Sequence, residues 1–197
     1  MVARLLREKR IEDPRLMWVF LRVRRHRFVP QHLRMTCYQP YAHDTVDGQT
    51  LTCPDFVAQM VSLLALKKTD NVLEVGTGTG FQTAILNAMA GSVTTIEVLA
   101  SLHEQAKANL ARRHTRVQVR LGDGATGAPD RAPFDAIVLG CATEVVPDAL
   151  LDQLAVGGRL VAPVGDPARV QALTVIRKTA AGLERRKVRA AWFVPMT

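Results

Sequence analysis

No apolar run in this chain reaches the length of a membrane span, so the sequence offers no transmembrane helix and a membrane partner is not expected. Cysteine is scarce. Cys37, Cys53 and Cys141 are odd in number and widely spaced, which argues against a disulfide framework and for a reducing compartment. There is no C-x-x-C pair and the five histidines are scattered, so no metal site is expected. Acidic residues are also short, with 18 Asp+Glu against 26 Lys+Arg and a net charge of +8. That excess is local: residues 1–34 carry 10 basic and 3 acidic side chains, and the remaining 163 residues carry 16 and 15. The basic leading stretch lacks aromatic interleaving and any recognisable nucleic-acid module. We therefore read it as a solvated basic face, and nucleic acid is not expected as a partner. It also lacks the continuous apolar core of a secretory signal, which leaves the cytoplasm as the expected compartment.

What is present fits one globular domain over residues 1–197, with 48% hydrophobic and 22% charged residues. The chain is organised around Asn71-Val-Leu-Glu-Val-Gly-Thr-Gly-Thr-Gly-Phe81. Val72, Leu73 and Val75 read as a buried strand. Gly76, Gly78 and Gly80 turn it, and Gln82 to Ala90 resumes at helical spacing. A strand that turns through glycine into a helix is expected to present unpaired backbone N–H groups at the strand's carboxyl end. The spacing is G-x-G-x-G, not the G-x-G-x-x-G of dinucleotide folds, and no Gly-Lys-Ser/Thr follows as in a P-loop. It resembles the S-adenosylmethionine loop of class I methyltransferases; the plainer alternative is a glycine turn with no ligand.

Around this loop the chain alternates. Asp13-Pro14 caps a helix carrying Leu16, Val19, Phe20 and Val23 on one side, and Phe56, Val57, Met60, Val61 and Leu64 mark a second helix after Pro54. Ser92–Glu97 reads as a strand ending in an acid, Leu99–Arg113 as a helix, and Val117–Leu121 as a strand closed by Gly122-Asp-Gly124. Phe134–Cys141 is a strand, 146–154 a helix, Gly157-Gly158 a turn and 159–164 a fifth strand. Val170–Arg177 and Lys187–Val194 are strand-like with no helix between them, as in an antiparallel hairpin. The expected fold is α/β: an open, mainly parallel Rossmann-like sheet with a C-terminal antiparallel hairpin and an N-terminal helical segment. His26 reads as a structural or surface histidine, and from local pattern alone Thr52 reads as a helix cap. Glu97 lies 21 residues beyond Gly76, where an acid on the next strand commonly accepts from ribose hydroxyls. Asp123 between two glycines could accept from an adenine amino group.

Over nearly its full length the chain resembles the protein-L-isoaspartate O-methyltransferases. The carrying segments are Ile11-Glu-Asp-Pro14, Arg25-His-Arg-Phe-Val-Pro30, Gly48-Gln-Thr50 with Pro54, Val72 to Gln82, Gly122-Asp-Gly124, Pro133 to Val138, Gly157 to Val161, Pro163-Val-Gly165 and Phe193-Val-Pro195. The resemblance implies methyl transfer from S-adenosylmethionine to the free α-carboxylate of L-isoaspartyl residues in damaged proteins or peptides. The ester then closes to a succinimide, which hydrolyses in part to normal aspartate. The resemblance places Thr52 beside the transferred methyl and the substrate carboxylate as the catalytic-loop hydroxyl, with Thr50 and Cys53 lining the same pocket. It places Glu74, Gly76, Thr77, Gly78, Thr79, Gly80 and Gln82 around the methionine part of the cofactor, Glu97 at its ribose, and Asp123 with Gly124 at its adenine. Thr197 matches a cofactor-side position, and residues 1–53 contribute to the substrate site. We expect a monomer.

The sequence departs from the family pattern in places. Thr52 replaces the usual serine, Pro40–Asp47 replaces a proline- and glycine-containing stretch, and Gly140-Cys-Ala142 replaces an alanine-rich strand end. Many members also carry a tail beyond the position of Thr197. Two other readings stay open: a methyltransferase of the same fold acting on another peptidic carboxylate, such as an Asp side chain in a dedicated partner, and a cofactor-binding protein without turnover.

Overall fold

The computed structural model describes residues 1–44, 48–111 and 116–197. A seven-stranded sheet forms the middle layer, built in chain order from β3 (Asn71–Val75), β4 (Ser92–Glu97), β5 (Val117–Leu121), β6 (Phe134–Leu139), β7 (Leu154–Val164), β8 (Gln171–Thr179) and β9 (Gly182–Ala191). A two-stranded ribbon, β1 (His43–Asp44) with β2 (Thr50–Leu51), stands apart from it. The spatial order is β5-β4-β3-β6-β7-β8-β9, parallel from β5 to β7 and antiparallel for β8 and β9.

Alternation along the central strands sorts their side chains to two faces. Val72, Val93, Ala136, Val138 and Val161 join one core with α1 (Val2–Arg7), α2 (Pro14–Arg22), α3 (Pro54–Leu64), α4 (Phe81–Met89) and α5 (Ala100–Leu110). Leu73, Val75, Ile96, Ile137, Leu139 and Leu160 face the other way, under α6 (Asp148–Gln153). The capping signals hold: Asp13 accepts from the Arg15 backbone N–H, with Pro14 opening α2. Leu16 and Phe20 are the buried residues of that helix, with Val19 and Val23 half-buried at its margin.

Phe81 binds the leading segment to the sheet. It is the first residue of α4, and its ring meets Phe20 edge-on at 6.2 Å and Phe28 at 5.8 Å. Edge-to-face aromatic pairs of this kind are worth about 0.5–1.5 kcal/mol each beyond area burial.

Three expectations are corrected. Gly157-Gly158 is not a turn before a strand. β7 runs through it from Leu154, and the register jumps from Phe134↔Leu154 to Ala136↔Arg159. The hairpin's second strand begins at Gly182, five residues before Lys187, because the turn after Thr179 is tight. Glu184 to Lys187 are exposed on an edge strand, so no apolar alternation marks them, and a charged edge resists pairing with other chains. The basic leading stretch is not wholly a solvated face: Arg25 is fully buried and Arg4 pairs with Asp55 at 3.0 Å. The part of the expected Leu99–Arg113 helix beyond Ala111, and residues 45–47 of the altered loop, lie outside the described residues. Among the described residues, no helix is long and apolar enough to cross a membrane.

Candidate active site

The chain moves outward from β3 through β4 to β5, then returns to β6 on the other side of β3. Ligands of open α/β sheets bind at the carboxyl ends of strands where the order reverses in this way. A cleft of about 920 Å³, part of it open to solvent, lies there. It is lined by the glycine loop, the tip of β4, the 49–52 segment and the last four residues of the chain.

The glycine loop is tied down. Gly76 N–H donates to Ile96 O at 2.9 Å, Gly78 N–H to Glu97 Oε2 at 2.8 Å, and Gly80 N–H to Thr77 O at 3.0 Å. The expectation that glycine N–H groups stand unpaired is therefore corrected at these three positions: the tight turn hands them back to the neighbouring strand and to itself. Glycine is required at Gly140, where an added Cβ would stand 2.9 Å from the Gly76 carbonyl oxygen. It is also required at Gly80, whose φ of +86° is disfavoured for any side chain bearing a Cβ.

Glu97 is buried at the tip of β4. Its second oxygen accepts from Leu99 N–H at 3.1 Å, so each carboxylate oxygen holds one hydrogen bond and keeps acceptor capacity in a residue that lines the cleft. Thr79 Oγ1 is buried with no hydrogen-bond partner. Val194–Thr197 form a wall because Ala142 N–H donates to Val194 O and Met196 N–H to Ala142 O, both at 2.7 Å. Cys141 also lines the cleft, but burial and then the Glu97 charge push its thiol up to about 12, so it is a neutral wall rather than a nucleophile.

Of the residues singled out in the sequence, Thr50, Thr52, Gly76, Thr77, Gly78, Thr79, Gln82, Glu97, Gly124 and Thr197 are brought together around this cleft. Cys53, Glu74, Gly80 and Asp123 are not among its lining. Cys53 is the buried N-cap residue of α3 and makes no side-chain capping bond. Thr52, one residue before, is thus not the cap, and its hydroxyl makes no hydrogen bond within the described protein. Gly80 is the buried N-cap residue of α4. Asp123 is exposed and turns its Oδ1 onto Ala125 N–H at 2.8 Å, capping a short 3-10 turn.

Glu74 stands behind the loop. It is fully buried and accepts from the Thr83 hydroxyl, from Thr95 Oγ1 at 2.8 Å and from Gln82 Nε2 at 3.1 Å. Thr95 is itself bonded to Thr77 Oγ1 at 2.6 Å, so the acid braces the glycine loop through one hydroxyl relay. Burial raises its carboxyl to about 7, against the three hydrogen bonds that oppose the shift. His26 is half-buried outside the cleft lining, with Nδ1 2.7 Å from the Tyr38 hydroxyl.

One site residue escaped the sequence reading. Arg25 lines the cleft while fully buried, donating from Nε to Cys37 O and from Nη2 to Thr52 O, both at 2.6 Å. Nothing in the local sequence separates it from the arginines around it.

The comparisons with known proteins agree with this architecture. Residues 1–197 match the family described as Protein-L-isoaspartate(D-aspartate) O-methyltransferase (PCMT). A Burkholderia thailandensis protein-L-isoaspartate O-methyltransferase is 43% identical over 194 residues, covering 97% of this chain and 59% of that protein. The Methanoculleus marisnigri enzyme of the same name is 39% identical over 197 residues, covering 100% of this chain and 89% of that protein. The chain thus spans about three fifths of the Burkholderia relative's length. Among solved structures, a Plasmodium falciparum protein-L-isoaspartate O-methyltransferase in complex with S-adenosyl-L-homocysteine superposes with a TM-score of 0.86 at 21% identity, covering 100% of this chain and 96% of that one. At that identity the likeness speaks to the fold. Matched along its whole length by the family and by relatives near 40% identity, the chain belongs to the protein-L-isoaspartate O-methyltransferases.

Proposed function

We propose that this chain transfers a methyl group from S-adenosylmethionine to the free α-carboxylate of L-isoaspartyl residues in damaged proteins or peptides. The observation that carries the reading is that Thr52, its hydroxyl unengaged by the fold, lines the same cleft as the glycine loop and Glu97. The residues present fit the cofactor. Glu97 keeps acceptor capacity for ribose hydroxyls, Thr79 carries a buried hydroxyl in want of a partner, and Gly124 lets a flat ring approach the β3 tip.

Bound S-adenosylmethionine supplies a methyl group already activated on a sulfonium. An acceptor carboxylate with a pKa near 4, roughly that of a peptide carboxyl, is ionised at neutral pH and needs no general base. The protein's task is placement and exclusion of water. Thr52 and Thr50 donate their hydroxyls to the acceptor carboxylate. Thr77, Thr79 and Gln82 hold the methionine end of the cofactor, Gly124 and the Asp123 turn the adenine, and Thr197 closes the side. Cys53, Glu74 and Gly80 act from behind, by holding the loops that these residues stand on.

The test is methyl transfer from labelled S-adenosylmethionine to a short L-isoaspartyl peptide beside its normal aspartyl twin. Transfer to the isoaspartyl form alone is expected. Cofactor binding with no transfer to either peptide would overturn the isoaspartyl reading in favour of one dedicated peptidic carboxylate, a change that the altered segment before Gly48 would accommodate.

A further inference from the structure

The cleft contains a cation that the methyl-transfer scheme leaves unused. Arg25 is fully buried, and its guanidinium lies over the Phe81 ring at 4.7 Å. Nε and Nη2 each hold a backbone carbonyl, of Cys37 and of Thr52, but Nη1 is buried with no hydrogen-bond partner. No carboxylate pairs with it among the described residues. The groups whose charge would favour its protonated form are Cys37, Cys53, Tyr38 and Asp55. Burial holds the Cys37 thiol protonated, and Asp55 is taken by Arg4 Nη2 at 3.0 Å, leaving an oxygen that no hydrogen bond joins to Arg25. Burial lowers the Arg25 pKa to about 10, which leaves it protonated at neutral pH.

A buried cation with no paired carboxylate and an idle donor is costly, and a purely structural arginine would be expected to satisfy its donors or meet an acid. The cost is offset if an anion arrives. Cofactor carboxylate and acceptor carboxylate are the two candidates, and the contact with Thr52 decides between them: Nη2 grips the carbonyl of the residue whose hydroxyl receives the acceptor.

We propose that Arg25 is the built-in counter-charge of the acceptor subsite, drawing the acceptor's carboxylate to the Thr52 side of the cleft while fixing the 50–53 segment that holds it. It is a positioning residue, acting through the field of a desolvated guanidinium and through the Thr52 backbone, and it leaves the cofactor half of the cleft to the glycine loop. The inference rests on the reading of this pocket as a carboxylate acceptor site.

The experiment compares two competitive ligands in the cofactor-saturated protein, an isoaspartyl peptide and the same peptide with its free α-carboxylate converted to carboxamide. In the wild type the carboxylate form is expected to bind more tightly, by on the order of tenfold for a desolvated charge at short range. In Arg25→Met that preference is expected to fall to about one, with S-adenosylmethionine affinity unchanged within about twofold. Arg25→Lys, which keeps the charge and loses the fork, is expected to retain most of the preference while lowering kcat through a looser Thr52 segment. A preference equal in the wild type and in Arg25→Met overturns the role of Arg25 and leaves the proposed function standing. Absence of the preference in the wild type overturns the carboxylate reading itself, and this inference with it. If Arg25→Met does not fold, the lysine variant decides: loss of the preference with the charge retained refutes a counter-charge role.

Discussion

Replacing Glu74 by Gln removes an ionisable group from the interior with almost no change in shape, and its effect depends on pH. Glu74 is fully buried beneath the glycine loop, with three side-chain donors on its two oxygens. Those donors favour the carboxylate, but desolvation outweighs them and raises the group from 4.5 to about 7. The folded state therefore prefers the neutral acid. The resulting stabilisation is complete below pH 4.5 and is lost as pH rises through about 7, where the folded protein must ionise a buried group. The rise corresponds to about 3 kcal/mol in all, most of which falls between pH 5 and pH 8.

Glu74→Gln lacks this dependence. Its amide replaces one acceptor by a donor, to which the Thr83 and Thr95 hydroxyls can rotate, so a constant offset of about 1 kcal/mol is expected at every pH. The assay is urea unfolding of both proteins at pH 5 and at pH 8. Other titrating groups cancel in the comparison, and the variant should gain about 2–3 kcal/mol on the wild type across that interval. A difference between the two proteins that is the same at pH 5 and pH 8 would refute the argument that Glu74 is neutral in the fold.

Three further outcomes follow from named contacts. Thr52→Ala is expected to lower kcat/KM for an isoaspartyl peptide by at least about tenfold with cofactor Kd nearly unchanged, while Thr52→Ser stays close to wild type; full activity of the alanine variant would remove Thr52 from the site. Phe81→Ala should cost about 3–5 kcal/mol in denaturant unfolding, because its ring packs against Phe20, Phe28 and Arg25 at once. An effect below about 1 kcal/mol would mean that the leading segment docks without it. Gly124→Ala would place a Cβ 2.3 Å from Val75 Cγ1, so a loss of about 1–3 kcal/mol by thermal or urea unfolding is expected, with weakened cofactor binding by calorimetry.

Much of this protein was legible in the chain because its signals are local. Strand β3, the glycine turn and α4 follow from an apolar run, three glycines and a helical period, each acting within a few residues. Asp13-Pro14 starts α2 by satisfying and sparing backbone N–H groups at its own helix end. The strand–helix alternation likewise implies parallel strands with crossovers, and so the edge at which Glu97, the glycine loop and Gly124 meet.

What tertiary structure decided is what depends on partners distant in sequence. Glu74 and Glu97 both end up buried beside the same loop. One braces it from behind and one faces the cleft, because Glu74 lies level with Thr95 while Glu97 stands two residues further along β4, at the strand tip. β9 carries charge on an edge strand and so shows no apolar period. Arg25 sits among surface arginines in the sequence. Only the packing of Phe81, the carbonyls of Cys37 and Thr52, and the exclusion of water make it a buried cation in the lining of the cleft. The sequence sets where the backbone turns; burial, which sets the charge state and strength of each polar group, belongs to the assembled fold.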